Sequence, residues 1–156
     1  NLQYHMGKAF ENIATAKVAT SAMEAMELGY IRKTETINMS RDQQIYEAKQ
    51  IVLSLNMAGY KPPRPARIPV MGENFRGLAD AILMNMRYGN FISDYDLVVS
   101  IKVAHTLSGG DCAEGTYVSE QEILDLEREA FLSLMGETKT HERIMHMLTK
   151  GKPLRN

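Results

Sequence analysis

The sequence predicts a mainly α-helical fold with one or two short strands, and three observations support this. Serine is repeatedly followed three residues later by an acidic or amide residue, a spacing typical of capped helix starts. Glycine follows several predicted helices, where it can adopt the left-handed backbone conformation. Between these signals, apolar residues recur at the three- and four-residue spacing of one helix face.

Seven helices are predicted in chain order. The start signals are Ser21-x-x-Glu24, Ser40-x-x-Gln43 and Ser119-x-x-Glu122, with the related Ser93-x-x-Asp96. The stop signals are Gly29, Gly59, Gly89, Gly109, Gly136 and Gly151. The predicted helices lie near residues 3–17, 21–28, 41–58, 73–88, 94–107, 120–135 and 139–150.

Two of these helices carry apolar stripes that are predicted to face a core. The helix at 41–58 has Ile45, Ala48, Val52 and Leu55 at helical spacing. The helix at 120–135 has Ile123, Glu127, Ala130, Phe131 and Leu134, with Leu124 and Met135 widening its apolar face. A cofactor slot is the less favoured interpretation of both stripes.

One segment departs from the helical pattern. Residues 30–39 are rich in β-branched residues and include Ile31 and Ile37, so a short strand or extended segment is predicted there. Residues 67–71 are a second candidate strand. Because a lone strand leaves its backbone groups without partners, we expect the rest of the sheet to lie outside this sequence.

A proline-rich stretch divides the chain. Residues 61–65 read K-P-P-R-P, and proline fixes φ and removes backbone donors. The spacing of Pro62 and Pro65 also fits an SH3-type ligand, but an ordered linker explains it equally well and is preferred. The predicted organisation is residues 1–60, a linker at 61–72, and a C-terminal helical bundle at 73–156.

Residues suited to catalysis or metal binding are few. His141 and His146 are five apart, about 140° around a helix, so they cannot share a metal as the four-residue spacing of zinc-protease helices allows. Cys112 lies in a loop with no predicted base beside it. The stretch 109–111, Gly-Gly-Asp, lacks the lysine of a phosphate-binding loop, and the acidic run at 120–129 is typical of a solvated helix face. We therefore predict neither catalytic residues nor a metal site.

Composition excludes several classes of partner. The formal net charge is −1, without the basic excess that a nucleic-acid partner requires. No apolar run approaches the roughly 20 residues that span a bilayer. A single cysteine excludes an internal disulfide and favours a reducing, cytoplasmic location. The 11 methionines are expected to fill core or interface gaps.

Several stretches resemble known families. Residues 21–31, S-A-M-E-A-M-E-L-G-Y-I, resemble the crotonase superfamily of enoyl-CoA hydratases and isomerases, as do the helices predicted on either side. The C-terminal half resembles the end of bacterial multifunctional 3-hydroxyacyl-CoA dehydrogenases. The stretches that carry this second resemblance are 92–96, 107–111, 120–131 and 147–156.

The resemblance implies a C-terminal part of such a protein, in which an NAD-binding dehydrogenase part comes first and a crotonase-like part follows. Residues 1–60 would then be the helical end of the crotonase-like region. The family's nucleotide-binding glycines, catalytic His–Glu pair, oxyanion-hole glycines and hydratase glutamates have no counterpart in this sequence. We therefore expect this chain to be inactive alone, with NAD and acyl-CoA bound only by the parent.

The function implied is non-catalytic and belongs to a fatty-acid β-oxidation enzyme: packing, closure over the acyl-CoA site, or oligomerisation. The implied partners are the rest of the parent chain, the acyl-CoA substrate and further copies. By analogy Lys150 and Lys152 would approach CoA phosphates, although cations at a helix C-terminus also stabilise the helix itself. The alternative is a helical protein–protein docking module at residues 73–156 without an enzymatic role.

Overall fold

A computed structural model describes residues 1–156 and has seven α-helices and two short strands. In chain order these are α1 (Leu2–Ala14), α2 (Ala22–Leu28), α3 (Gln44–Met57), β1 (Arg67–Pro69), α4 (Gly72–Tyr88), α5 (Asp94–Leu107), β2 (Tyr117–Ser119), α6 (Glu120–Met135) and α7 (Thr138–Lys150). A 3₁₀ turn at Arg41–Gln43 precedes α3. The prediction of a mainly α fold with short strands is confirmed.

The chain forms two compact units. The first consists of residues 1–17 and 65–156, and the second of residues 18–64. Residues 61–66 are exposed and have no regular secondary structure, and β1 follows them directly. The assignment of residues 1–60 to a crotonase-like region, with a linker and a C-terminal bundle after it, stays a prediction.

The core of the first unit is built on one face of α4. Phe75, Ala79 and Leu83 are spaced four residues apart and are each at most 2% exposed. Because this spacing places them on one helix face, they pack together against α5 and α1. Phe10 of α1 meets Phe75 edge to face, with ring centroids 5.9 Å apart.

The sheet is small and lies entirely within the first unit. β1 and β2 are antiparallel, with Ile68 opposite Val118. The candidate strand at 67–71 is confirmed by β1. Of the short strand or extended segment predicted at 30–39, the strand does not form: residues 30–35 contain turns and bends, and residues 36–39 have no regular secondary structure. The expectation that the sheet would lie elsewhere therefore loses its basis, since β1 pairs with β2 of the same chain.

The helix starts follow the predicted caps closely. The boxes at 93–96 and 119–122 form in full, with both reciprocal hydrogen bonds. Ser21 accepts from the backbone N–H of Glu24, but the Glu24 carboxylate accepts from Thr20 rather than from Ser21. Ser40 makes no capping bond, and the chain enters α3 through the 3₁₀ turn instead.

The six predicted glycine stops divide into four with positive φ, which are Gly29, Gly59, Gly109 and Gly151, and two with negative φ. Gly29 and Gly151 take left-handed conformations, with φ of 83° and 64°, and end α2 and α7 as predicted. Gly89 and Gly136 have negative φ, so glycine is not required there for its conformation. After α4 the left-handed residue is Asn90, with φ of 57°, which asparagine tolerates better than most residues.

Candidate functional site

An open apolar groove of about 520 Å³ lies between α5 and α6 in the first unit. Val99, Val103 and Leu107 line it from α5 at four-residue spacing, and Ile13 of α1 contributes at one end of its own helix. The residues from α6 are Ile123, Leu124, Glu127, Arg128, Ala130, Phe131 and Leu134. The α6 stripe identified in the sequence therefore forms a groove wall.

That stripe is not covered as a core face would be. No residue of α6 is buried, and the Phe131 side chain is 58% exposed. The charged members of the lining are Lys102, Glu127 and Arg128, and Arg128 is paired with Asp125 at 2.8 Å. The groove can accommodate apolar side chains or an alkyl chain, but its lining includes no serine, cysteine or histidine that could act as a nucleophile.

A buried carboxylate joins the start of α5 to the end of the chain. The side chain of Asp96 is 8% exposed, and its Oδ1 lies 2.9 Å from both Arg143 and Arg155. Its Oδ2 accepts the Ser93 backbone N–H at 3.1 Å. The guanidinium of Arg143 also lies over the Tyr95 ring, 4.9 Å from its centroid. We call Asp96, Arg143 and Arg155 the Asp96 clamp.

The clamp fixes the charge state of its carboxylate. Burial raises the pKa of Asp96, but the Ser93 backbone N–H, Arg155, the Ser93 hydroxyl and Arg143 together hold it below its ordinary value. Asn156 extends the same network, because its amide oxygen accepts from Arg143 and its amide nitrogen donates to Glu142. The network thus connects the start of α5 to α7 and to the last residues of the chain.

A second polar cluster holds the Gly-Gly-Asp turn against α4. Arg76 forms an ion pair with Asp111 and a 3.2 Å hydrogen bond with Nδ1 of His105. The hydrogen bond from Arg76, together with its charge, lowers the pKa of Asp111. At the start of α4, a Cβ on Gly72 would lie 1.9 Å from the carbonyl oxygen of Cys112. Position 72 therefore has no room for a side chain, because the backbone of residues 112–113 packs directly against it.

The two lysines proposed from the resemblance lie at the end of α7. Lys150 is the last residue of the helix, and Lys152 follows the left-handed Gly151. Both side chains are exposed, and no hydrogen bond or ion pair connects either of them to the rest of the chain. Their role toward CoA phosphates stays a prediction.

The other residues weighed in the sequence are dispersed. Cys112 is half-buried, and its Sγ lies 3.6 Å from the Ser108 carbonyl oxygen. His141 bonds through Nε2 to the carbonyl of Met135 at 2.7 Å. No group of three or more histidine, cysteine or acidic side chains could hold a metal ion. No helix combines the length and apolar character that a membrane crossing requires.

Sequence reasoning missed the Asp96 clamp. It identified Asp96 only as part of the helix start at 93–96, and Arg155 lies 59 positions further along the chain. The sequence gives only a weak signal for this cluster. Two arginines, Arg143 and Arg155, lie near the chain end, and Ser93-x-x-Asp96 places a carboxylate at a helix start. Their pairing depends on how α7 packs, which the local pattern does not determine.

Comparison with known proteins gives one informative relationship. No protein-family model matches the chain, and no solved structure matches it either. The chain is 44% identical over 151 residues to a probable 3-hydroxyacyl-CoA dehydrogenase of Bacillus subtilis (strain 168). The match covers 96% of this chain but 19% of that protein, so the chain spans about a fifth of the length of the curated relative it matches.

Proposed function

We propose that this chain is a non-catalytic segment of a longer 3-hydroxyacyl-CoA dehydrogenase-type protein, in which its apolar faces pack against the rest of the polypeptide. The similarity to the Bacillus subtilis protein supports the dehydrogenase context. The structural observation that carries the proposal is the amount of exposed apolar surface. The chain buries ten hydrophobic residues but exposes thirty large ones.

The surface area gives the scale of the missing contacts. The accessible surface is 11677 Å². Two separate compact domains with the sizes of the two units would together expose only about 9,400 Å² by the usual mass scaling. The excess, roughly 2,000 Å², matches one side of a large obligate interface. Monomeric domains also seldom leave so many large apolar side chains uncovered.

The groove between α5 and α6 is the contact face we assign to the first unit. It is open and apolar, and Phe131 stands exposed on its α6 wall. Packing of an apolar segment from the rest of the polypeptide would cover both walls at once. Closure of this face over an acyl-CoA site is part of the same proposal, with Lys150 and Lys152 reaching the CoA phosphates.

The chemistry of the longer protein is proposed to be oxidation of 3-hydroxyacyl-CoA by NAD in fatty-acid β-oxidation, in the cytoplasm, with enoyl-CoA hydration by a crotonase-like part. The residues of this chain do not fit NAD. A dinucleotide site needs a parallel strand, a glycine-rich turn and a helix, whereas the sheet here has two antiparallel strands. NAD and the catalytic groups are therefore assigned to the remainder of the protein.

Two measurements test this function. The isolated chain should show no NAD reduction with 3-hydroxyacyl-CoA and no hydration of enoyl-CoA, and robust turnover of either would contradict the proposal. The Bacillus subtilis relative with its matched segment deleted should bind the chain when the two are mixed in isothermal titration calorimetry. Phe131→Glu should weaken this binding at least about tenfold, because a charge would enter an apolar contact. Glu129→Gln, an exposed change on the same helix, should leave it unaltered.

A docking module that assembles copies of itself is the second candidate. It is favoured by α7, whose exposed Ile144, Met145 and Leu148 lie on one side of the helix. Such a module should self-associate at micromolar concentration in sedimentation velocity. It should not bind the Bacillus subtilis relative that lacks the matched segment. A monomer that binds the deleted relative excludes it.

A further inference from the structure

We propose that α3 is an interior helix of the longer protein, enclosed on two opposite faces by polypeptide that lies outside this chain. This inference rests on the proposed function and names the most deeply covered element within it. It differs from the groove, which needs a single partner surface.

The first observation is the exposure of the whole segment. Every residue from 39 to 67 is exposed, and none of the residues 18–64 is buried. Ile45 and Met57 of α3 are both 87% exposed. The sequence stripe on this helix was predicted to face a core, and that prediction is wrong for the chain by itself. A unit of this size without buried side chains lacks the apolar burial needed to offset its conformational entropy.

The second observation is that apolar residues occupy two faces of α3, not one. The first face carries Ile45, Ile51, Val52 and Leu55, and the second carries Tyr46, Leu53 and Met57. At 3.6 residues per turn the centres of these faces lie roughly 150° apart. Lys49 and Asn56 separate the faces on one side of the helix, and Glu47, Gln50 and Ser54 separate them on the other. A helix that is apolar on opposite sides is typical of an interior position, whereas a surface helix has one apolar stripe.

The area and symmetry of the contacts indicate which polypeptide covers the two faces of α3. A 14-residue helix is about 21 Å long, so each face covers on the order of 200 Å². This is far less than the roughly 800 Å² per partner of a stable association between separate molecules. Moreover, copies of the chain that used both opposite faces would make head-to-tail contacts that need not close. A large surrounding polypeptide meets both conditions, and about four-fifths of the Bacillus subtilis relative lies outside the matched segment.

Hydrogen exchange measured by mass spectrometry tests the proposal. The two samples are the 156-residue chain alone and a chimera of the full-length relative in which this chain replaces the matched segment. Amides of residues 44–57 should exchange rapidly in the isolated chain and at least about tenfold more slowly in the chimera. Val52→Glu and Leu53→Glu, one on each face, should each remove this protection. Gln50→Glu, on the polar strip between the faces, should retain it.

The outcomes separate this inference from the proposed function. Slow exchange of α3 in the isolated chain overturns the inference, and so does loss of protection with only one of the two face variants. Protection that appears only as the isolated chain is concentrated assigns α3 to a second copy and also overturns it. If groove residues 99–107 and 123–134 gain protection in the chimera while α3 does not, the proposed function stands and only the inference fails. If neither segment gains protection, both fail.

Discussion

Replacing Asp96 with asparagine should lower the free energy of unfolding by about 3 kcal/mol at neutral pH. The carboxylate is nearly buried and lies 2.9 Å from two guanidinium groups. Asparagine keeps one acceptor oxygen but no charge, so both arginine contacts weaken, which accounts for about 2 kcal/mol. The poorer helix cap at the start of α5 accounts for up to about 1 kcal/mol more.

The effect should depend on pH in a direction fixed by the clamp. Burial raises the pKa of Asp96, but the hydrogen bonds from Ser93 and the two arginines lower it overall. A carboxyl group with a lowered folded-state pKa contributes stability above its ordinary pKa and loses that contribution as pH falls through the folded-state value. The difference between wild type and Asp96→Asn should therefore be constant from about pH 6 to pH 8 and shrink below about pH 4.

Urea unfolding followed by circular dichroism at a series of pH values measures this difference. Asp94→Asn is the matched control, because Asp94 lies in the same helix turn but is 72% exposed in its pair with Arg87. Its replacement should leave the midpoint nearly unchanged. Equal effects of the two variants at pH 7, or a difference for Asp96→Asn that grows on acidification, would refute the reasoning.

Three further predictions follow from local geometry and are checked by the same unfolding measurement. Gly72→Ala should destabilise the chain by about 3 kcal/mol or more, because its Cβ would meet a backbone carbonyl oxygen at 1.9 Å and φ is +51°. Gly7→Ala is the control: it lies in open space within α1 and should stabilise the chain by about 0.5–1 kcal/mol. A similar loss of stability at both sites would contradict the packing argument. Ser119→Ala should lower the free energy of unfolding by about 1 kcal/mol, because it removes a capping box. Ser40→Ala removes no cap and should leave the free energy of unfolding unchanged. Equal losses in the two variants would count against the stabilising role of the caps. Tyr95→Phe should cost about 1 kcal/mol because its hydroxyl bonds to the α7 threonine at 2.6 Å, and an unchanged midpoint would show that this bond contributes nothing.

Features determined by near neighbours were predicted well from the sequence. The helices at 94–107 and 120–135 have the predicted bounds, because each starts at a serine whose cap partner is three residues away. The same locality explains the α2 and α7 ends at Gly29 and Gly151. Where the cap bond does not form, as at Ser40, the helix start shifts by three residues to Gln44.

Features that depend on distant pairing were predicted poorly. β-branched content favoured a strand at 30–39, but a strand exists only where a second segment can complete its ladder. β1 and β2 achieve this because backbone bonds between Val70 and the 115–116 turn hold the two strands in register. The Asp96 clamp follows the same rule, since Arg143 and Arg155 lie far from Asp96 in the sequence.

The exposed stripes of α3 and α6 show a different limit of prediction from the sequence. Helical spacing of apolar residues indicates that a face will be covered, and it says nothing about which polypeptide covers it. In α4 the cover comes from within the chain, so Phe75, Ala79 and Leu83 are buried as the spacing indicates. In α3 the same kind of pattern is left in solvent, on two faces. Since both helices follow one physical rule, we expect the two faces of α3 to be covered by polypeptide outside these 156 residues.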